Sequence, residues 1–540
     1  MKKVLALALA VLMLLPILVA CNSGDNGNVT TAKPNTTTQP TPGVTTPTVS
    51  DTDPSTPGNS EPGATNPPAT NPPTTTPPAA ELPEVDYTGT TFRVISQTNA
   101  DTATSWGNYE IVYNEEALLV ATELKTAIKN RNDALKEKIG VEISQIDGKN
   151  HSTMFTTVRT SVARNQNEYD MVIIRTKEAA QLAQKGYLAS VQDDLTYMNI
   201  DQDYYDQRAK EQLSIKGKNY FFVSDITVVN IDAVWLYYFN HDLITEYELE
   251  NPYTILSEGK WTIDKLLEMA ETATSDDGDG NPTKTDNWGI AGHGFVPTSM
   301  FFGAGMTIAK EDAATGKITL TMNDTRITEF MEKATKILPY WARYSIHGSG
   351  DTYGFVSGDN YPQLVEMYAA GRTLFMGEVL AFSRDTSLAA TGEELNIGML
   401  PTPKLNEAQA EYYTPVTSSV ATVTCIPATA CGNKASDGEG LKKASAIVEY
   451  WAKESQNTVM KTYMEQCQKS RYSKDEISAE VIEDIFAAVA YDLGDAFGWG
   501  NLTQELQKIL YEGDTDFASM YKSKSPKAQS DIDDFLKVFK

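Results

Sequence analysis

The chain has 540 residues, a formal charge of −27, four histidines and four cysteines. That balance argues against nucleic acid and against adhesion to an anionic surface, since both want positive potential. So few cysteines exclude a disulfide-built scaffold, and the sequence holds no GxSxG, no HExxH and no zinc-spaced cysteine set.

The first segment, MKKVLALALAVLMLLPILVAC, sets Lys2 and Lys3 before an apolar run from Val4 to Ala20 broken only by Pro16, the layout of a secretory leader. A membrane span needs about 20 apolar residues, so this run is marginal as one. Leu18, Val19, Ala20 and Cys21 resemble the lipobox of bacterial lipoproteins. The resemblance implies cleavage before Cys21, lipidation of that cysteine and work on the extracellular face of the cell membrane, in a Gram-positive-type bacterium. An uncleaved anchor helix and a plain signal peptide are the alternatives.

From Asn22 to Asp86 the chain is Thr, Pro, Asn, Gly and Ser, with 14 of its 25 prolines. Such a segment buries too little apolar surface to offset its ordering entropy, so a disordered, extended linker is expected. Its proline content makes it a stiffer spacer than a Gly/Ser chain. The leader contributes +2 and the linker −6, leaving −23 on the 454 residues from Tyr87 to Lys540. That length suffices for two or three ordinary domains.

GTTFRVISQ, from Gly89, reads as a first strand. In ELKTAIKNRNDALKEKIG, Leu124, Ile128, Leu135 and Ile139 fall at helical spacing and Gly140 marks the stop. VEISQI is a second strand, MFTTVRTSVARN a helix, YDMVIIR a strand buried on both faces, and KEAAQLAQKGYLASV a helix stopped at Gly186. This alternation is the rhythm of an α/β lobe with a largely parallel sheet. From Tyr220 to Phe239 runs an aromatic and β-branched stretch too long for one strand, expected as a hairpin turning at Lys216 to Asn219 and then a crossing strand. WTIDKLLEMAETA is a helix capped by Thr262 with Asp264 in its first turn. Beyond it come the glycine loop GHGFVPTSMFFGAGM, a hairpin in TIAKEDAATGKITLTM, a helix through DTRITEFMEKATKILPYWARY, strands in RTLFMGEVL and TPVTSSVATVTCIP, and then helices to the C-terminus.

YDMVIIRTKEAAQLAQKGYLASVQDDL, GKWTIDKLLEMAETA, TGKITLTMND, GRTLFMGEV, IGMLPTPKLNEAQAEYYTPV, AIKNRNDALKEKIGVEI and ISAEVIEDIFAAVAYDLGDAFGWGNL, taken in this order of elements, resemble the extracellular solute-binding proteins of ABC transporters, the carbohydrate-type, family 1-like group. The resemblance implies an α/β, two-lobe periplasmic-binding-protein-like (type II) flytrap fold with a hinge of two or three crossings, preceded by the disordered linker. On that plan residues 1–21 are leader, 22–86 linker and 87–540 the binding domain, with one lobe about 87–229 plus 414–468 and the other about 230–413 plus 469–540. Relatives tend to show a Trp pair where this chain has Tyr204 and Tyr205, which weakens the transfer of a stacking role to those positions.

A sugar offers hydroxyls around an apolar C–H face, so its cleft needs flat aromatic platforms beside fixed donors and acceptors. The candidates are Trp106 and Tyr109 in the polar loop after the first strand; Asn230, Asp232 and Trp235 at the first crossing; His293 and Phe295 in the glycine loop; Glu378 after RTLFMG; and Tyr412 beside the return crossing. Asn230 and Asp232 fit a structural hinge slightly better than a ligand site, because a polar pair amid VVNIDAVW is costly unless hydrogen-bonded. Trp341 and Tyr344, three apart on the expected helix, suit a core, and Trp499 suits a lobe edge or the cleft. Ser275, Asp277, Asp279 and Asp286 follow the spacing of a calcium loop, with Ser at the first position and Asp in place of the closing Glu. An ordinary acidic turn is the plainer account, with Ca2+ the only cofactor in view. Cys425 and Cys431 are close enough in sequence to close a small loop.

The expected function is capture of a solute, a sugar or oligosaccharide, by a monomer that delivers it to the transmembrane subunits of an ABC permease. Peptide uptake, or a surface sensor or adhesion module on the same fold, are the rivals. A glycosidase needs two carboxylates about 5 to 10 Å apart, which 72 acidic residues always allow somewhere, and nothing else in the sequence points to an enzyme.

Overall fold

The computed structural model describes residues 82–98, 107–115, 122–343, 361–384, 396–434, 436–469 and 476–539. Cys21, most of the linker, Trp106 and Tyr344 lie outside them. Among the described residues, no helix is long and apolar enough to cross a membrane.

Strands β1 (Thr90–Ser96), β2 (Val141–Asp147) and β3 (Met171–Arg175) form the first sheet, with β1 between β2 and β3 and parallel to both. The helices Thr122–Ile139 and His151–Ala163 connect them, the βαβ arrangement that parallel strands require. The first helix buries Leu124, Ala127, Ile128, Leu135 and Ile139 at three- and four-residue spacing. It stops because Gly140 takes φ +75°, and any Cβ there would sit 2.5 Å from Thr88 Oγ1. β3 is buried on both faces: Met171 and Ile173 join the core formed with Phe92, Leu135, Ile447 and Trp451, while Val172 and Ile174 face the larger core on the other side.

The second sheet has the order β10-β4-β9-β5-β8. Its strands are β4 (Trp235–Asn240), β5 (Trp288–Gly292), β8 (Trp341–Arg343), β9 (Thr373–Val379) and β10 (Ile397–Leu400). The hairpin β6 (Ala309–Asp312) and β7 (Lys317–Leu320) stands apart. All seven residues of β9 are buried, as a central strand covered on both faces demands. After β10 come β11 (Thr414–Pro415), β12 (Thr422–Cys425) and β13 (Val489–Ala490). β12 returns to the first sheet and pairs antiparallel with β3. The fold is therefore two α/β lobes whose sheets draw on interleaved parts of the chain.

Among the described residues, three segments between the sheets are hydrogen-bonded side by side. Val234 bridges Val416, β11 pairs parallel with β13, and the Thr414 and Val416 amides donate to the Ala488 and Ala490 carbonyls at 2.9 and 3.0 Å.

Three local expectations change. The helix expected through PYWARY ends at Thr335; Pro339, which lacks an N–H, sits in the 3-10 turn Leu338–Tyr340, and Trp341 opens β8 beside β5. Trp341 is core, edge-on to Tyr511. The stretch from Tyr220 does turn at Lys216 and Gly217, both at positive φ, but it proceeds through irregular backbone and a helical turn, Val229–Asp232, before β4. TPVTSSVATVTCIP is two strands, because its first half pairs at the crossing and its second half in the first sheet. Cys425 and Cys431 are both free thiols, so they close no loop; Cys425 Sγ faces the Val172 carbonyl from a buried position.

Candidate functional site

Strand polarity decides which residues meet. β4 runs antiparallel to β9, pairing Trp235 with Val379 and Leu236 with Glu378, and β5 runs parallel to β9, pairing Gly292 with Gly377. The start of β4, the end of β9 and the end of β5 therefore share one end of the second sheet, which gathers Trp235, Glu378, His293 and Phe295. The Trp235 ring centroid lies 4.9 Å from that of Phe295 and 6.2 Å from that of His293, tilted to both. Gly292 is required here: at φ +155° a Cβ would fall 2.4 Å from the Gly377 carbonyl oxygen.

The His293 Nδ1 accepts the Phe295 N–H at 3.0 Å, so its ring proton sits on Nε2 as a donor. Burial pulls this histidine down to about 4, leaving it neutral at pH 7. Trp235 is 3% exposed and its buried Nε1–H has no hydrogen-bond acceptor, whereas the Val379 N–H donates to Glu378 Oε2 at 3.2 Å. A tilted aromatic pair, a neutral imidazole, a carboxylate and an indole donor without an acceptor are groups that can stack on a ring and hydrogen-bond at its rim, but Trp235, Phe295 and Glu378 are 3%, 5% and 7% exposed, so a ligand meets them only where this end of the sheet opens.

Asn230 and Asp232 take a different place. Asn230 Nδ2 donates to the Thr422 carbonyl at 3.0 Å, and its Oδ1 lies 2.7 Å from the Tyr491 hydroxyl, which also lies 2.8 Å from Asp206 Oδ2. The single Tyr491 proton is thus shared between two acceptors. Asp232, fully buried, accepts from the Tyr463 hydroxyl. Tyr109 is half-buried against the cluster containing Val228, Ile231 and Tyr463. Tyr412 accepts the Trp261 N–H at 3.2 Å under the Lys404 ammonium, with burial pushing its hydroxyl up to about 12. Trp499 is 3% exposed and stacks on Phe497. Tyr204 and Tyr205 are core residues whose hydroxyls both donate to the buried Glu449 carboxylate, consistent with the absence of a stacking pair there.

Sequence reasoning missed a second polar cluster, at the end of β3. β3 ends at Arg175, whose guanidinium donates to Glu178 at the start of the helix Thr176–Gln184 and to the Ser419 carbonyl, while its N–H approaches His151 Nδ1 at 3.4 Å. Burial first, and Arg175 second, pull His151 down to about 3. The signal was available in YDMVIIRTKE: a charged residue ending an apolar strand directly before a helix.

In the acidic loop, Asp276, Asp277 and Asp279 are exposed and their ligand atoms lie within 4.8 Å of one another, so the cluster can coordinate a divalent cation such as Ca2+. The membership differs from the spacing-based set. Asp286 is buried and its carboxylate closes the loop by accepting the Asp277 and Thr283 amides at 2.9 and 2.6 Å, and Ser275 pairs with Asn287 at the loop's base.

Several solved structures align along almost their whole length. The GacH receptor of Streptomyces glaucescens, determined unliganded and with acarbose, matches over 83% of this chain and 98% of its own at 13% identity and a TM-score of 0.48. UgpB of Mycobacterium tuberculosis in complex with glycerophosphocholine covers 76% and 95% at 14% and 0.48. The maltose/maltodextrin-binding domain MalE of Bdellovibrio bacteriovorus, bound to maltotriose, covers 83% and 100% at 11% and 0.45. No protein-family model and no curated protein matches the chain.

Proposed function

We propose that this protein captures a sugar or oligosaccharide outside the cytoplasm and delivers it to an ABC permease. The observation that carries this reading is the grouping of Trp235, Phe295, His293 and Glu378 at one end of the second sheet, beside three hydrogen-bonded segments that join it to the first lobe. In this reading the fold is of the type II flytrap kind and the three segments are its hinge. The lobes close by small torsions about them, the solute bridges both lobes, and it shifts the population toward the closed form. The lobe limits near residues 229, 414 and 468, the lipid anchor at Cys21, the extended linker and a monomeric state belong to the same proposal. A receptor tethered in this way keeps a high effective concentration at its permease.

The test is thermal unfolding of the full chain against mono- and oligosaccharides and short peptides. A saturable rise in Tm with one sugar class, reduced in Trp235→Phe, supports the proposal. A rise with peptides alone moves the assignment to peptide uptake, and no rise with any solute refutes capture.

A further inference from the structure

A separate cavity of about 270 Å3 lies beside the first crossing, lined by acidic, hydroxyl and apolar groups with no lysine or arginine among them. A short antiparallel rung builds it: the Asp206 amide donates to the Val223 carbonyl, the Asp225 amide donates to the Tyr204 carbonyl, both at 3.0 Å, and Tyr205 bridges Ser224. Asp206 is held in place as the cap of the helix Gln207–Gln212, accepting the Ala209 N–H at 2.9 Å.

Ser224, buried, and Asp225, half-buried, both lack side-chain hydrogen-bond partners in this cavity, which buried polar groups ordinarily find. Ser224 is 3% exposed and its hydroxyl has no hydrogen-bond partner. The Asp225 carboxylate has no donor among the described residues, and its charged neighbours are Asp203 and Asp206. The nearby cations are engaged elsewhere: Arg208 donates to the Val489 carbonyl at 3.1 Å and Lys210 pairs with Asp201. The opposite wall is apolar, with Met460, Met464 and Phe486.

We propose that this cavity binds an alkylammonium group, its charge set against Asp225 and Asp206, its N–H donating to Ser224, and its carbon chain lying on Met460, Met464 and Phe486. A chelated metal ion fits less well. Among the described residues the only three acidic ligand atoms that lie within 4.8 Å of one another are those of Asp276, Asp277 and Asp279, so Asp203, Asp206 and Asp225 do not gather as a set around one ion. The volume also lies near the lower end of small-molecule pockets, about 300 Å3. Methionine surfaces adapt to varied carbon chains.

Burial, with Asp203 and Asp206 adding to it, pushes Asp225 up to about 8, so near pH 7 it holds a proton that an entering cation displaces. Binding therefore releases a proton at pH 7 and tightens toward pH 8.

The test is isothermal titration calorimetry on the full chain with n-butylammonium chloride, n-butanol and calcium chloride, at pH 7 and pH 8. The expected result is saturable binding of butylammonium alone, tighter at pH 8, and at least tenfold weaker in Asp225→Asn and in Ser224→Ala. Asp225→Asn removes the proton-releasing carboxyl without changing shape, and circular dichroism checks that both variants fold. Absence of butylammonium binding, equal binding of butanol, binding of calcium at a site these variants weaken, or binding indifferent to both variants overturns the proposal. It does not depend on sugar capture, which the solute panel tests on its own.

Discussion

Asp232 and Trp235 stand three residues apart, both almost wholly buried, yet they belong to regions with opposite polar economies. At the crossing, Asp232 receives the Tyr463 hydroxyl, and Asn230 is held by Thr422 and Tyr491. At the end of the second sheet, the Trp235 N–H has no acceptor, and burial keeps His293 neutral. A buried polar group that is matched inside the protein holds the protein together; one left with unused capacity has something to offer a ligand. Residue type does not separate the two cases, but bonding does.

The contrast can be broken most directly at its matched side. Asp232→Ala leaves the Tyr463 hydroxyl buried beside a void, and chemical denaturation should show a loss of about 3 kcal/mol with sugar affinity kept. Unchanged stability with lost sugar binding would reverse the roles of the two regions. Tyr491→Phe removes the proton shared by Asp206 and Asn230 and should cost about 1 to 2 kcal/mol by the same measurement. On the other side, Trp235→Phe keeps a ring and removes an unmatched donor, so stability should move by less than about 1 kcal/mol while sugar affinity weakens about tenfold, or about 1.4 kcal/mol. A large stability loss with unchanged affinity would make Trp235 a core residue and nothing more.

The smallest effect is in pH. His293 has its pKa lowered from 6.5 to about 4, so between those values the unfolded chain binds the proton that the folded one refuses. Its contribution to stability is therefore whole above about 6.5 and is lost as pH falls toward 4. His151, drawn down to about 3, acts in the same direction. Asp225 acts oppositely: raised from 3.8 to about 8, it holds a proton in the folded state that the unfolded chain has released, so its contribution declines as pH rises through that window. Denaturation midpoints from pH 4 to 8 should show His293→Gln flattening the acid side and Asp225→Asn flattening the alkaline side. Neither variant changing its own limb would refute these assignments.

How far the sequence carried depended on the range of the cause. YDMVIIR announced a strand buried on both faces because four consecutive apolar residues ending at a helix start leave little else, and Gly140 announced its helix stop through a conformation that few other residues adopt. The residues at the end of the second sheet could be proposed one by one from type and loop position, but that Trp235 meets Phe295 follows from strand polarity, which no single segment contains. The partners of Asn230 and Asp232 lie at positions 491 and 463, so whether those polar groups were matched was not a local property. Tyr204 and Tyr205 owe their burial to Glu449, at a similar remove. The strand after Pro339 was missed because helical periodicity continued past the residue that ends the helix.

The return of β12 to β3 has a consequence for the order of events at birth. Residues 171–175 are made early, but the strand that completes their sheet follows some 250 positions later, after all five strands of the second sheet. A chain emerging from its N-terminus therefore carries a first sheet with one open edge through most of its synthesis, and pairings so distant close slowly. Until Cys425 has emerged, the outer edge of β3 keeps its backbone donors and acceptors open to any strand that reaches it.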